Sequence, residues 1–230
     1  LDDPALMQNG GDPQLDAAIA SVGGGGGGGG IVVENNAGGA AIAVASGTNS
    51  VAGGAGAQAL GEGSTAHGHF AVAGDFASTA YGADARAFGP FGTALGNSST
   101  ASADGATAVG YLSTADALNG TAVGSQSAVN STGGTALGTG ARVDIAADFG
   151  VAVGHTARAI SARGTALGAD ARAGAQFATA VGAATQADGL RSVAVGTGSP
   201  FTAEQWGALA NDSVAMGWGA VANAQSSVAL

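Results

Sequence analysis

The 230 residues hold 44 Gly and only four Pro, with 46% hydrophobic residues but only 5% aromatics, so Ala and Val must supply any core. Gly does not recur every third residue, which excludes collagen, and a chain this apolar and this poor in Pro is unlike ordinary low-complexity disorder. Six Arg and no Lys against sixteen Asp and Glu give a net charge of −10. That balance argues against nucleic acid as a partner and against direct attraction to anionic lipid.

Residues 1–30 read as an N-terminal tail with a poly-Gly linker. Asp12-Pro13-Gln14-Leu15-Asp16-Ala17-Ala18-Ile19 suits one short helical turn or a plain tail, and Gly23 to Gly30 is an eight-Gly run with the composition of a flexible connector. Leu1-Asp2-Asp3-Pro4 lacks the basic and apolar regions of a signal peptide, so the sequence is expected to be a piece of a longer chain. No run of about 18 apolar residues is present to span a bilayer as a helix. Residues 31–57, with Ile31-Val32-Val33 and Ala41-Ile42-Ala43-Val44, are expected to form irregular first coils, Val44 preceding Leu60 by 16.

From residue 58 to 230 a tetrapeptide Thr/Val-Ala-apolar-Gly recurs. Thr93-Ala94-Leu95-Gly96, Thr107-Ala108-Val109-Gly110, Thr121-Ala122-Val123-Gly124 and Val151-Ala152-Val153-Gly154 are clear copies. Gln58-Ala59-Leu60-Gly61, a degenerate Phe70-Ala71-Val72-Ala73 and Thr79-Ala80-Tyr81-Gly82 extend the series upstream. With the apolar residue as position 0, the steps from Tyr81 to Leu230 are 14, 14, 14, 14, 16, 14, 14, 14, 21 and 14. The 16 marks two extra residues near Val143 to Phe149, and the 21 marks seven extra residues in an insertion at 197–213. A second half-repeat at +4 to +6, as in Ser99-Thr100-Ala101 and Ala157-Arg158-Ala159, adds a second alternating segment. Period-two alternation argues strand, and fourteen residues leave no room for a crossover helix. The expected architecture is therefore all-β, a parallel solenoid with one coil per 14 residues and a length on the order of 60 Å at about 4.8 Å per rung.

The pleat places −2 and 0 on one face and −1 on the other. Position 0 is Val, Leu, Met or Tyr, so that face is expected to fill the coil, opposed by small residues at +4 and +6. Position −1 is Ala in every copy. The ladder Ala94, Ala108, Ala122, Ala136, Ala152, Ala166, Ala180 and Ala194 is then the surface expected to pack between chains of a homotrimer, because so thin a core needs help from oligomerisation.

Candidate chemistry is sparse. His67-Gly68-His69 sets two imidazoles close together, which a trimer would multiply by three, but flanking Gly and the absence of a nearby carboxylate pair favour a surface turn. His155, after a repeat Gly, reads the same way. Arg86, Arg142, Arg158 and Arg172 share position +5, while Arg163 and Arg191 share +10. Asp84 and Asp170, two residues before Arg86 and Arg172, suggest a structural charge ladder. No Ser has a placed His partner, the coil length does not suit the hexapeptide acyltransferases, and the calcium-binding nonapeptide is not repeated. No catalytic, cofactor or metal site is expected, nor any cofactor, and the chain is read as not an enzyme. Within the insertion, Phe201, Glu204, Gln205 and Trp206 form a possible receptor-facing loop; the alternative has its rings folded back as a lid or packed between protomers.

The Thr/Val-Ala-Val/Leu-Gly motif at 14-residue spacing resembles the YadA-like head repeat of trimeric autotransporter adhesins of Gram-negative bacteria, over about Gln58 to Leu230. The resemblance implies a left-handed parallel β-roll, three chains side by side, and exposure on the bacterial cell surface as part of an outer-membrane-anchored fibre. It also implies binding to host cells, through a cell-surface receptor or extracellular-matrix protein. Neck, heptad stalk and barrel strands are not seen in the sequence, so membrane anchoring is expected only through segments outside it. The alternatives are a purely structural spacer or an ice-binding solenoid built on the Thr column at −2. Ice binding is disfavoured by the expectation that this column points inward.

Overall fold

The structure, a computed structural model, describes residues 31–33, 42–198 and 207–230. Each coil is two short strands joined by two turns, as the coil at Thr93 shows. Thr93–Leu95 is extended, Gly96 to Ser99 turn, Thr100–Ala101 is extended again, and Ala103 to Ala106 turn back. Both turns close with an N–H donating three residues back, Ser99 to Gly96 at 3.3 Å and Ala106 to Ala103 at 3.1 Å. Their third residues, Ser98 at φ 55° and Gly105 at φ 63°, lie in the left-handed region that a type II turn requires.

Stacking the coils builds two parallel sheets. The front sheet has fourteen strands and takes the first segment of every coil; the back sheet has thirteen and takes the second. In the front sheet Thr93, Thr107, Thr121 and Thr135 stand in register, as do Leu95, Val109, Val123 and Leu137. The glycine after each front strand is fixed by both conformation and contact. Gly96, Gly110 and Gly124 have φ near 130°, and a Cβ on any of them would meet the next rung's glycine backbone at 2.5–2.7 Å.

Register corrects the upstream part of the repeat. Gln58–Ala59 pairs with Val72–Ala73, and that with Arg86–Ala87, so the upstream matches at Gln58 and Phe70 belong to the back sheet, while Thr79–Tyr81 is a front strand. The front strands of those coils are Val51–Gly53 and Thr65–His67, with Thr65 opposite Thr79 and His67 opposite Tyr81. Val44 stands opposite Gln58 rather than Leu60. Thr65-Ala66-His67-Gly68 is a true motif copy, overlooked because His occupies the apolar position. The extra-length coils leave the front ladder intact: Thr135 pairs with Val151, Val193 with Val214 and, at a spacing of 20, Ile31 with Val51.

The two faces are the reverse of the sequence expectation. The −1 Ala ladder points into the coil: Ala94, Ala108, Ala122, Ala136, Ala152, Ala166 and Ala180 are 0% exposed within a single chain, and Ala194 is 1% exposed. Side chains so enclosed have no surface to offer another protomer, so they do not form the inter-chain packing face. They meet the +6 residues of the back sheet, which are Ala in most coils, while +4 is mostly Ser or Ala, with Thr185 in one coil. The uniform Ala reports a limit on size. Turns this tight hold the sheets too close for Val or Leu at −1, and the larger residues at 0 are turned outward. Buried Ser hydroxyls on the same wall are satisfied across their own turn, Ser99, Ser113 and Ser127 donating to the carbonyls of Gly96, Gly110 and Gly124 at 2.8–3.0 Å.

Candidate interaction surfaces

Function in a solid rod must reside on its outside, which has two sheet faces and two turn edges. The front face carries position −2, a column of Thr and Val, beside position 0, a column dominated by Val and Leu. The Thr residues are half-buried, while Tyr81, Leu95 and Met216 at position 0 are 56%, 36% and 44% exposed. The two columns run the length of the stack without a charged side chain, which makes the front face an apolar stripe in one chain.

The back face is charged in its middle. Arg142, Arg158 and Arg172 occupy consecutive rungs in register. Stacking three cations is unfavourable unless carboxylates intervene. Asp144 does so twice, reaching Arg142 Nε at 2.5 Å and Arg158 at 2.7 Å, and Asp188 reaches Arg172 at 3.3 Å. The acids are therefore at +7, not the +3 aspartates anticipated from sequence. Asp84 and Asp170 occupy left-handed turn positions at φ 56° and 57°, and Asp170 accepts a hydrogen bond from the Thr156 hydroxyl.

The edge joining the back strand to the next front strand is aromatic, a feature missed in the sequence. Phe76 meets Phe91 edge-on at 5.3 Å, Phe177 lies beneath Arg163 at 5.4 Å, and Phe149 and Ile145 project from the 16-residue coil. The recurrence of Phe76, Phe91 and Phe177 at +9 and +10 was the available signal. Arg191 and Asp212 pair on this edge at 2.6 Å, from one side of the insertion to the other. The Arg191 hydrogen bond holds the Asp212 carboxyl below its ordinary range, and the same bond raises the guanidinium. Phe201, Glu204, Gln205 and Trp206 lie outside the described residues.

His67 ends a front strand and faces outward, its ring stacked on Tyr81 at 5.0 Å; His69, in the turn beyond, packs against Phe70 at 4.1 Å. His155 lies in the corresponding turn of a later coil, next to Thr156. Among the described residues, none of these is joined with acids into a group of three or more metal-ligating side chains within one chain.

The sequence model of the family described as YadA head domain repeat (two copies) matches residues 45–71, 76–99, 89–113, 115–141, 173–199 and 208–230, which is more than half of the chain. The chain belongs to the YadA head family. A YadA head is an adhesin domain rather than an enzyme. Among solved structures, the crystal structure of the collagen-binding domain of Yersinia adhesin YadA is similar, with 26% identity, 63% of this chain and 68% of that one covered, and a TM-score of 0.39. No curated protein matches the chain.

Proposed function

We propose that this chain is the head of a bacterial surface adhesin, a homotrimer that binds host cells or extracellular-matrix components and is carried on the outer membrane by segments outside this sequence. The observation that carries the assembly is the front face. An uncharged stripe of Thr, Val and Leu along the whole rod is more apolar surface than a monomer ordinarily leaves in water. Packing three such stripes around a common axis covers them and adds the buried area that the thin Ala core lacks. The assembly leaves the charged back face and the aromatic edge outward, where a receptor would meet three copies and weak contacts would gain by avidity. No catalytic role is proposed for any residue.

The outward Thr column favours one other reading. Thr65, Thr79, Thr93, Thr107, Thr121 and Thr135 form an unbroken ladder at rung spacing, which removes the objection that Thr points inward and suits an ice-binding plane. Its neighbouring column is His, Tyr, Val and Leu, uneven in height, which suits interlocking protein faces better than a flat lattice. The deciding experiment is light scattering of the purified chain, followed by binding to an array of matrix proteins and glycans. A trimer retained on the array supports the adhesin. A monomer of 21.2 kDa that inhibits ice recrystallisation overturns it in favour of the Thr plane.

A further inference from the structure

We propose that His67 and His69 of three chains together form a binding site for a first-row divalent transition-metal ion where the front faces meet, an inference that rests on the trimeric assembly proposed above. The outward direction of position 0 is what sets His67 on this face, and His69 follows it in the turn. His67 takes position 0 of its rung and projects from the face otherwise lined by Thr, Val and Leu. On one side its register partner is Gly53, which has no side chain, so the space beside the imidazole is open there. On the other, Tyr81 stacks on the ring at 5.0 Å and 26°, which holds its plane.

The backbone fixes both histidines to the rung. The His67 carbonyl accepts from Gly82 N and the His69 carbonyl from Asp84 N, each at 2.8 Å, while Gly68 N between them donates to Gly53 O at 2.8 Å. Neither imidazole makes a hydrogen bond within the chain, among the described residues. A polar ring nitrogen covered by an apolar interface without a partner is costly. One chain supplies two imidazoles, too few to hold an ion firmly. Three chains related by a three-fold axis bring six to the same height on the rod. Imidazole suits Ni²⁺, Co²⁺ and Zn²⁺, and six nitrogens allow the octahedral coordination that Ni²⁺ accepts readily. The ion would give each ring nitrogen its partner and tie the three chains together near the start of the stack.

The test is calorimetric titration of the untagged chain with NiCl₂, beside His67→Ala and His69→Ala. All three proteins are first sized by light scattering and melted with and without EDTA. Both side chains are exposed, so both variants should fold and assemble in metal-free buffer. The expected result is one Ni²⁺ per three wild-type chains, a melting temperature raised by Ni²⁺ and restored by EDTA, and at least about tenfold weaker binding in each variant. A wild-type trimer that binds no Ni²⁺, or binds one ion per chain, overturns the site and leaves the assembly standing. A wild-type monomer overturns the assembly, and the site with it.

Discussion

Val129 and Val143 are the widest side chains wholly enclosed by the coils, and each occupies a +6 position that is Ala in most other coils. Room for them comes from the opposite wall, where a Cβ on Gly134 would approach Val129 Cγ1 at 2.8 Å and Val143 Cγ1 at 2.9 Å. Gly120 faces Val129 in the same way at 2.9 Å. This is packing by exchange of volume across two facing columns, and it makes Gly134 a glycine kept for space. Gly134→Ala should cost about 1–3 kcal/mol by overpacking. Combined with Val129→Ala and Val143→Ala, it should show a favourable coupling of about 1 kcal/mol or more in urea denaturation. Purely additive losses would show that these residues do not share one space.

Each coil is a modular unit at the element scale, because its turns close on themselves and its strand hydrogen bonds run to the coils before and after it. Strands fourteen residues apart share register, so removing one whole coil leaves its neighbours with matching partners. Deleting residues 165–178 would place Val151 opposite Thr179 and Arg158 opposite Gln186, pairs of the kind already found along both sheets. That deletion should keep a cooperative melt and a β-rich circular dichroism spectrum, with the rod about 4.8 Å shorter by small-angle scattering. Deleting only 165–171 sets front strands against back strands and should abolish folding. Equal behaviour of the two deletions would contradict the coil as the unit. The same logic explains why the extra residues of the two longer coils stay out of the ladders: any loop is tolerated that returns the chain to the next rung.

For the molecule as a whole, the question is which face meets another chain. Ala122 and Thr121 are adjacent in one front strand and point to opposite sides, the first enclosed and the second half-buried on the outward stripe. Ala122→Glu should unfold the rod, since a carboxylate cannot be accommodated or hydrated between the sheets, and the cost should exceed about 3 kcal/mol. Thr121→Glu should leave each chain folded but weaken the trimer, by setting three like charges into one contact. Circular dichroism separates the first outcome and light scattering the second. Thr121→Glu protein that remains a trimer of undiminished stability would move the interface to another face.

The 14-residue spacing of Thr/Val-Ala-apolar-Gly was enough by itself to determine the all-β coil, the approximate rung count, the two long coils and the family, because stacked parallel strands demand a constant chain length per turn. Glycine at +1 was equally legible, since the left-handed turn and the close approach of the next rung both require it. The direction in which the faces point was not. Alternation separates −1 from 0 but is silent on which is inside, and hydrophobicity favours Val and Leu over Ala for a core. Only the tertiary structure showed that at −1 the gap between the sheets admits a methyl and little more, so that Ala goes in and the larger residues become an outer stripe. The place of His67 depended on the same decision. Its rung was hidden because the motif was sought with an apolar residue at that position, and the pairing of Thr65 with Thr79 revealed it.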